Sequence, residues 1–230
     1  MKFFKQLFFA FLFLFSSISL FSLEITGKEI QVFFKGEHTR STHFLSSVSA
    51  IGAIELENRY GFRSGVEIER SIIDTNINYF INAAYSPFLH LPLSFSASYL
   101  YNGLLEYHVH AHSILPFVSW NNPRIGLSLG VNFRFTRFFG ESAVYESILS
   151  FFGYWNFIYN EILVLGIACG NFSDFHGKNM GAFSYQLNAR LKLNNNWQVI
   201  NHIELMQSGV DGLSATFFGM LFRLGVQYTW

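Results

Sequence analysis

The chain has 230 residues, of which half are apolar and 19% aromatic but only 13% charged, against about a quarter charged in a soluble domain. That balance excludes a disordered chain and an ordinary soluble enzyme. The 15 Lys and Arg match the 15 Asp and Glu, so no net basic field exists to recruit nucleic acid, and no nucleic-acid partner is expected.

The first residues read MKFFKQLFFAFLFLFSSISLFS. Lys2 and Lys5 precede an apolar run from Leu7 to Phe15, followed by Ser16, Ser17 and Ser19, the layout of a secretory signal peptide. The serines interrupt the run before it reaches the roughly 20 apolar residues of a membrane anchor. Residues 1–22 are therefore expected to be removed, leaving 23–230 as one domain. The single cysteine, Cys169, makes neither an intramolecular disulfide nor a Cys-rich zinc site.

Beyond the leader the apolar residues alternate. From Leu93 the odd positions are Leu93, Phe95, Ala97, Tyr99 and Tyr101, against Ser94, Ser96 and Ser98 between them. From Ile125 the odd set runs to Phe135, against Gly126, Ser128, Asn132 and Arg134. From Phe183 it runs to Leu193, against Ser184, Gln186, Asn188, Arg190 and Lys192. A strand sends successive side chains to opposite faces, so each segment has one apolar and one polar face. The spacing predicts strands at 28–38, 43–57, 61–73, 77–86, 93–102, 105–120, 124–137, 144–158, 161–172, 181–194, 197–207 and 215–230. That makes an all-β, closed antiparallel transmembrane barrel of twelve strands, with ten as the alternative. The segments exceed the five or six residues of a soluble strand and suit a tilted crossing of about 9–11. After the even-numbered strands come Asn58-Arg59-Tyr60, a segment from Ser86-Pro87 to Pro92, Asn121-Asn122-Pro123, Tyr159-Asn160 and Asn194-Asn195-Asn196, which is turn chemistry. The longest polar connections, around Asp174–Asn179 and Ser208–Gly212, follow odd-numbered strands.

The last strand ends Arg223-Leu224-Gly225-Val226-Gln227-Tyr228-Thr229-Trp230. This octad resembles the C-terminal β-signal of bacterial outer-membrane β-barrel proteins, with Arg223 as the polar residue, Gly225 two on, and Tyr228 and Trp230 at the third-from-last and last positions. The resemblance implies recognition by the barrel-assembly machinery, escort by periplasmic chaperones, and residence among the lipids of the bacterial outer membrane. It covers the octad alone. Two aromatic belts are expected on the lipid face: Tyr85, Phe117, Trp155, Phe157, Trp197, Tyr228 and Trp230 at the periplasmic ends, and Tyr99, Tyr101, Tyr107, Phe135, Phe183 and Tyr185 at the outer ends.

Alternation assigns Glu29, Lys35, Glu37, Glu55, Glu57, Arg63, Glu67, Glu69, Glu106, Arg134, Arg190, Lys192, Glu204 and Arg223 to the lumen, since charges face hydrocarbon only at high cost. Acidic residues gather on the first three strands and basic ones on the seventh, tenth and twelfth. Such walls either line a narrow, porin-like channel for small polar solutes or ions, or pair and fill the interior of a structural or surface-display barrel.

The segment Glu106-Tyr107-His108-Val109-His110-Ala111-His112 is assigned with its imidazoles inward, about 7 Å apart successively, with Arg134 near His110 and Ser98 near His108 or His110. There the cluster would chelate a divalent metal with Glu106, sense pH, or serve as polar filler. A Ser98-His108-Glu106 hydrolase can be written down, but no G-x-S-x-G elbow accompanies it. The chain is therefore not expected to be an enzyme; no catalytic residue or cofactor is assigned. In a bacterial protein the Asn171-Phe172-Ser173 glycosylation pattern is idle, and Cys169 reads as a small packing residue.

Overall fold

The computed structural model describes residues 24–39, 44–70, 75–104, 109–138, 142–176, 183–208 and 216–230. The expected leader and the expected sites Glu106, Tyr107 and His108 lie outside them. Twelve strands form: β1 (Ile25–Thr39), β2 (Leu45–Leu56), β3 (Tyr60–Arg70), β4 (Thr75–Tyr85), β5 (Leu93–Leu104), β6 (Val109–Asn121), β7 (Ile125–Arg137), β8 (Val144–Tyr159), β9 (Leu163–Gly170), β10 (Ser184–Lys192), β11 (Trp197–Ser208) and β12 (Thr216–Thr229). Each pairs antiparallel with its sequence neighbours, and β12 returns to β1 from Glu29↔Thr229 to Thr39↔Gly219, closing the barrel. All twelve expected strands are present, so the ten-strand alternative falls. The ninth stops at Gly170 because the chain turns inward there.

The short connections behave as their asparagines predict. The Asn160 Oδ1 accepts from the backbone N–H of Ile162 and Leu163 (2.9 and 2.7 Å), and Asn194 Oδ1 accepts from those of Asn196 and Trp197 (both 2.9 Å). Each is an Asx turn that satisfies backbone donors as the chain reverses. Between β2 and β3, the Arg59 N–H donates to the Leu56 carbonyl (3.0 Å), and Glu57 and Asn58 both take positive φ. Glu57, expected on the lumen wall, belongs to this turn. These connections and both termini define a turn end; the longer connections define a loop end.

The faces follow alternation on eleven strands. Outward positions carry Phe34, Ile68, Ile81, Phe95, Leu129, Leu149, Trp155, Ile167 and Leu224, all exposed. Every carboxylate on a described strand faces inward: Glu29, Glu37, Glu55, Glu67, Glu69, Glu146 and Glu204. An apolar outside and a polar inside is the pattern of a barrel immersed in lipid.

The sixth strand is inverted relative to expectation. Its register with β5 sets Tyr101 opposite His112, Ser98 opposite Leu115 and Ser96 opposite Phe117. Leu115 is buried, and Phe117 lines the lumen beside Ser96 and Ser98. His110 and His112 therefore face outward with Tyr99 and Tyr101. Trp120 takes the belt place expected of Phe117. Because the side-chain period is two, the whole strand flips together. Its outward set of Ile114, Pro116, Val118 and Trp120 suits lipid better than an inward set holding Ser113 and Ser119.

The main apolar cluster lies inside the barrel. Phe33, Ile51, Phe80 and Leu100 from four strands surround Phe175, which comes from the β9–β10 connection. At the β1/β12 seam, a Cβ on Gly225 would stand 2.2 Å from the Phe33 ring and 2.6 Å from the Val32 carbonyl. The glycine of the octad is thus the space that Phe33 fills. Gly225→Val is expected to destabilise the seam by about 1–3 kcal/mol, a typical overpacking cost, and to lower the temperature at which the folded band converts to the unfolded one in gel-shift heating. Gly52→Ala, where an added Cβ meets nothing within 4 Å, should leave that temperature unchanged.

Candidate functional site

The site is built where the β9–β10 connection enters the lumen. Asn171 starts it. Its Nδ2 donates to the Leu149 carbonyl and its Oδ1 accepts from the Phe151 N–H (both 2.8 Å), so its side chain takes over the ladder with β8 while the backbone leaves. The turn is closed by the Ser173 N–H donating to the His176 carbonyl (2.8 Å). Phe172 then packs against Phe117 and Phe152, with ring centroids 5.7 and 6.0 Å apart.

Three successive residues lock the segment to the opposite wall. Arg63 Nη1 and Nη2 donate to the two carboxylate oxygens of Asp174 (3.0 and 3.2 Å), a bidentate pair. Phe175 is fully buried, its ring edge-on to Phe80 at 5.1 Å, and its carbonyl accepts from Asn102 Nδ2 (2.7 Å). His176 Nε2 stands 3.0 Å from Glu67 and 3.5 Å from Glu69.

Behind the segment sits a buried charge knot. Lys35 Nζ contacts Glu69, lies 3.3 Å from Glu67 and 3.7 Å from Glu37. Ser47 and Asn78 donate to the Glu67 carboxylate, at 3.2 and 3.3 Å, and Asn76 donates to Glu69 at 3.4 Å. Arg223 approaches Glu67 to 3.9 Å, its guanidinium lying over the Phe33 ring. A carboxylate this far from water persists only with such a set of donors and cations. Glu67, Glu69 and His176 offer ligand atoms within 4.8 Å of one another, but the Lys35 ammonium already supplies the positive charge a metal would bring.

Around the inserted segment the charged walls of the lumen therefore do not face each other across open space. The acidic wall pairs with its own Lys35, with Arg223 from adjacent β12, and with His176 from the inserted segment. Toward the turn end a cavity of about 590 Å³ remains, lined by Gln31, Arg63, Asn82, Ser98, Asn188, Arg190 and Arg223 together with Phe117, Phe152 and Tyr154, and capped by Phe172, Ser173 and Asp174. In it, Glu29 is held by Gln31 (3.0 Å) and Gln227 (2.8 Å).

The histidine face expected in the lumen is not there. His112 and His110 accept or donate at Nδ1 to the hydroxyls of Tyr99 and Tyr101 (both 2.7 Å) on the outer surface. Arg134, expected beside His110, lies opposite Ser113 on the lumen side, and His110 lies opposite Arg137. Ser98 faces the lumen, where it accepts from Asn82 Nδ2 (2.8 Å), so it shares no face with His110 or His112. In the lumen His202 lies 3.4 Å from Glu204, and the imidazole that enters the buried charge knot is His176. Its signal was present in Phe172-Ser-Asp-Phe175-His176: two aromatic residues in a polar connection have to be covered by something. Arg223, Gly225, Tyr228 and Trp230 lie on the closing strand, and Tyr228 stacks between Trp197 and Trp230 at 4.8 and 5.5 Å.

No protein-family model matches the chain, and no curated protein sequence does. Among solved structures, the chain is similar to the KdgM porin in complex with disordered oligogalacturonate, at 12% identity and a TM-score of 0.59, over 88% of this chain and 99% of that one. The NanC porin matches at 10% identity and 0.59, over 86% and 98%. The translocator domain of the autotransporter NalP from Neisseria meningitidis matches at 12% and 0.55, over 92% and 91%. At such identities the likeness is one of fold: a twelve-stranded barrel of the outer-membrane type.

The latch has a definite pH window. Burial opposes the charged form of His176, but Glu69 and Glu67 outweigh it and push the imidazole up to about 9 from an ordinary 6.5. A group with a raised folded value contributes stability that is complete below about 6.5 and is lost as pH rises through about 9. Backbone hydrogen exchange of residues 171–176, corrected for intrinsic rate, is thus expected to accelerate between about pH 8 and 10, and His176→Asn should flatten that rise. Arg63→Ala should loosen the same segment at neutral pH by about 1 kcal/mol, roughly fivefold in its opening equilibrium, the Arg63–Asp174 pair being about one-third exposed.

Proposed function

We propose that the chain is an outer-membrane channel for small polar solutes or ions, with a conducting path through the polar cavity that is closed at mid-height by residues 171–176. One observation carries this reading: the obstruction is a tethered connection, not the wall itself. Wall side chains leave the cavity of about 590 Å³ at the turn end, and the segment above it is held by side-chain contacts: the Arg63–Asp174 pair, the Phe172 and Phe175 rings, the His176 imidazole and the hydrogen bonds of Asn171 and Asn102. Twelve strands give an interior wider than the eight-stranded case that side chains fill. The fold is shared with the KdgM and NanC porins.

The proposal includes the route to the membrane. Residues 1–22 serve as a leader that is removed, periplasmic chaperones carry the chain, and the barrel-assembly machinery reads the final octad. The turn end with both termini then faces the periplasm and the loop end faces outside.

Within the cavity Arg63, Arg190 and Arg223 face Asp174 and Glu29. Asp174 is taken by Arg63, and Glu29 by two glutamines. The balance favours anions modestly, since fixed charge along a pore sets selectivity. Planar bilayers are expected to show a small wild-type conductance. It should rise several-fold in an Asp174→Ala/Phe175→Ala/His176→Ala variant and show an anion-selective reversal potential, with that selectivity weakened in Arg190→Ala. The competing reading is a structural barrel, favoured by the fully buried Glu67 and its closed set of partners. If a folded, inserted latch variant fails to conduct, that reading replaces the channel.

A further inference from the structure

The outward face at the loop end carries chemistry that a channel does not need. Among the described strand residues every carboxylate points inward, while His38, Arg70, His110, His112 and Arg137 occupy outward positions near the loop end and Lys28 alone does so near the turn end. The two rims of the lipid face therefore differ in charge. A rim whose described outward ionisable side chains are cations and imidazoles is suited to an anion at headgroup level.

Three of these residues, His110 and His112 on β6 and Arg137 on β7, form one ledge with Tyr99 and Tyr101 of β5. Tyr101 stands opposite His112, and His110 opposite Arg137. Tyr99 and Tyr101 hydroxyls each bond an imidazole Nδ1 at 2.7 Å, on His112 and His110. The Tyr101 ring stacks on His110 at 5.9 Å and meets His112 edge-on at 5.3 Å. With a phenol donating to Nδ1, a neutral imidazole carries its proton on Nε2. In that tautomer both rings are held in place with an N–H donor left at Nε2, and Arg137 stands opposite His110 on the next strand. Below the ledge, Ile114 and Phe133 are more than half exposed and offer the apolar wall an acyl chain would cover.

We infer that this Tyr–His ledge with Arg137 binds the phosphate-bearing headgroup of an outer-leaflet lipid. Two oriented imidazole donors and a guanidinium fork match a phosphate monoester, and the rings beneath place it at the membrane surface. Its position on the outer wall separates it from the lumen, so it stands or falls independently of conductance.

The test uses the full barrel in neutral detergent and native mass spectrometry, with diphosphorylated lipid A and its dephosphorylated form as probes. The wild type is expected to retain the phosphorylated form at least about tenfold better, the scale of one or two charge-assisted hydrogen bonds. His110→Ala/His112→Ala and Arg137→Ala should each remove most of that preference, whereas Lys28→Ala, at the other rim, should keep it. Heat-modifiable migration confirms that each variant is folded. Equal retention of the two lipids overturns the inference. So does preference that survives in both ledge variants, or that Lys28→Ala abolishes. Displacement of the lipid by millimolar inorganic phosphate would show a site for the free anion, and would equally overturn it.

Discussion

Inside hydrocarbon no water is available to a backbone N–H or C=O, so each must find its partner within the protein. For a chain whose described membrane-crossing elements are strands, the solution is closure, and the pairing of β1 with β12 provides it. The rest of the architecture follows from that demand. Closing the sheet separates an outside, which must be apolar, from an inside, which can hold charge. It also brings together residues nearly the whole chain apart, such as Phe33 and Gly225, whose fit at the seam depends on one side having no Cβ.

The interior then raises a second problem. A twelve-stranded wall leaves space that wall side chains do not fill, and the described residues fill its middle with a connection rather than with larger wall residues. Phe175 is the centre of the inner apolar cluster, yet it belongs to no strand. Its neighbours Asp174 and His176 complete ion pairs whose other halves, Arg63, Glu67 and Glu69, lie on β3. One strand therefore supplies most of the polar hold on the inserted segment. The acidic residues there cost desolvation on their own and become tolerable when the segment and Lys35 are in place. Wall and connection are mutually dependent.

The outside carries an asymmetry that hydrophobicity alone does not require. A symmetric membrane would need only an apolar band with aromatic rims. Here the cations and imidazoles of the lipid face concentrate at the loop end, next to a cluster of tyrosines whose hydroxyls hold the imidazoles. The outer face and the lumen thus hold separate histidines: His110 and His112 on β6 outside, His176 on the inserted connection inside.

What could be read from the sequence was whatever depends on neighbours in the chain. Strand existence and number followed from period-two alternation, and the turns followed from asparagines that bond their own backbone. On most strands the polar and apolar sets were distinct enough to assign the faces. On β6 they were not, because Leu115 and Phe117 on one face rival Ile114 and Val118 on the other. Only the register with β5, which sets Tyr101 beside His112, decides it. The inserted segment was beyond local reading for a similar reason. Asp174 and Arg63 are separated by 111 residues, and nothing near Phe175 in sequence says that Phe80 will cover it. A local pattern records what a residue prefers; the closed barrel decides which distant residue is there to meet it.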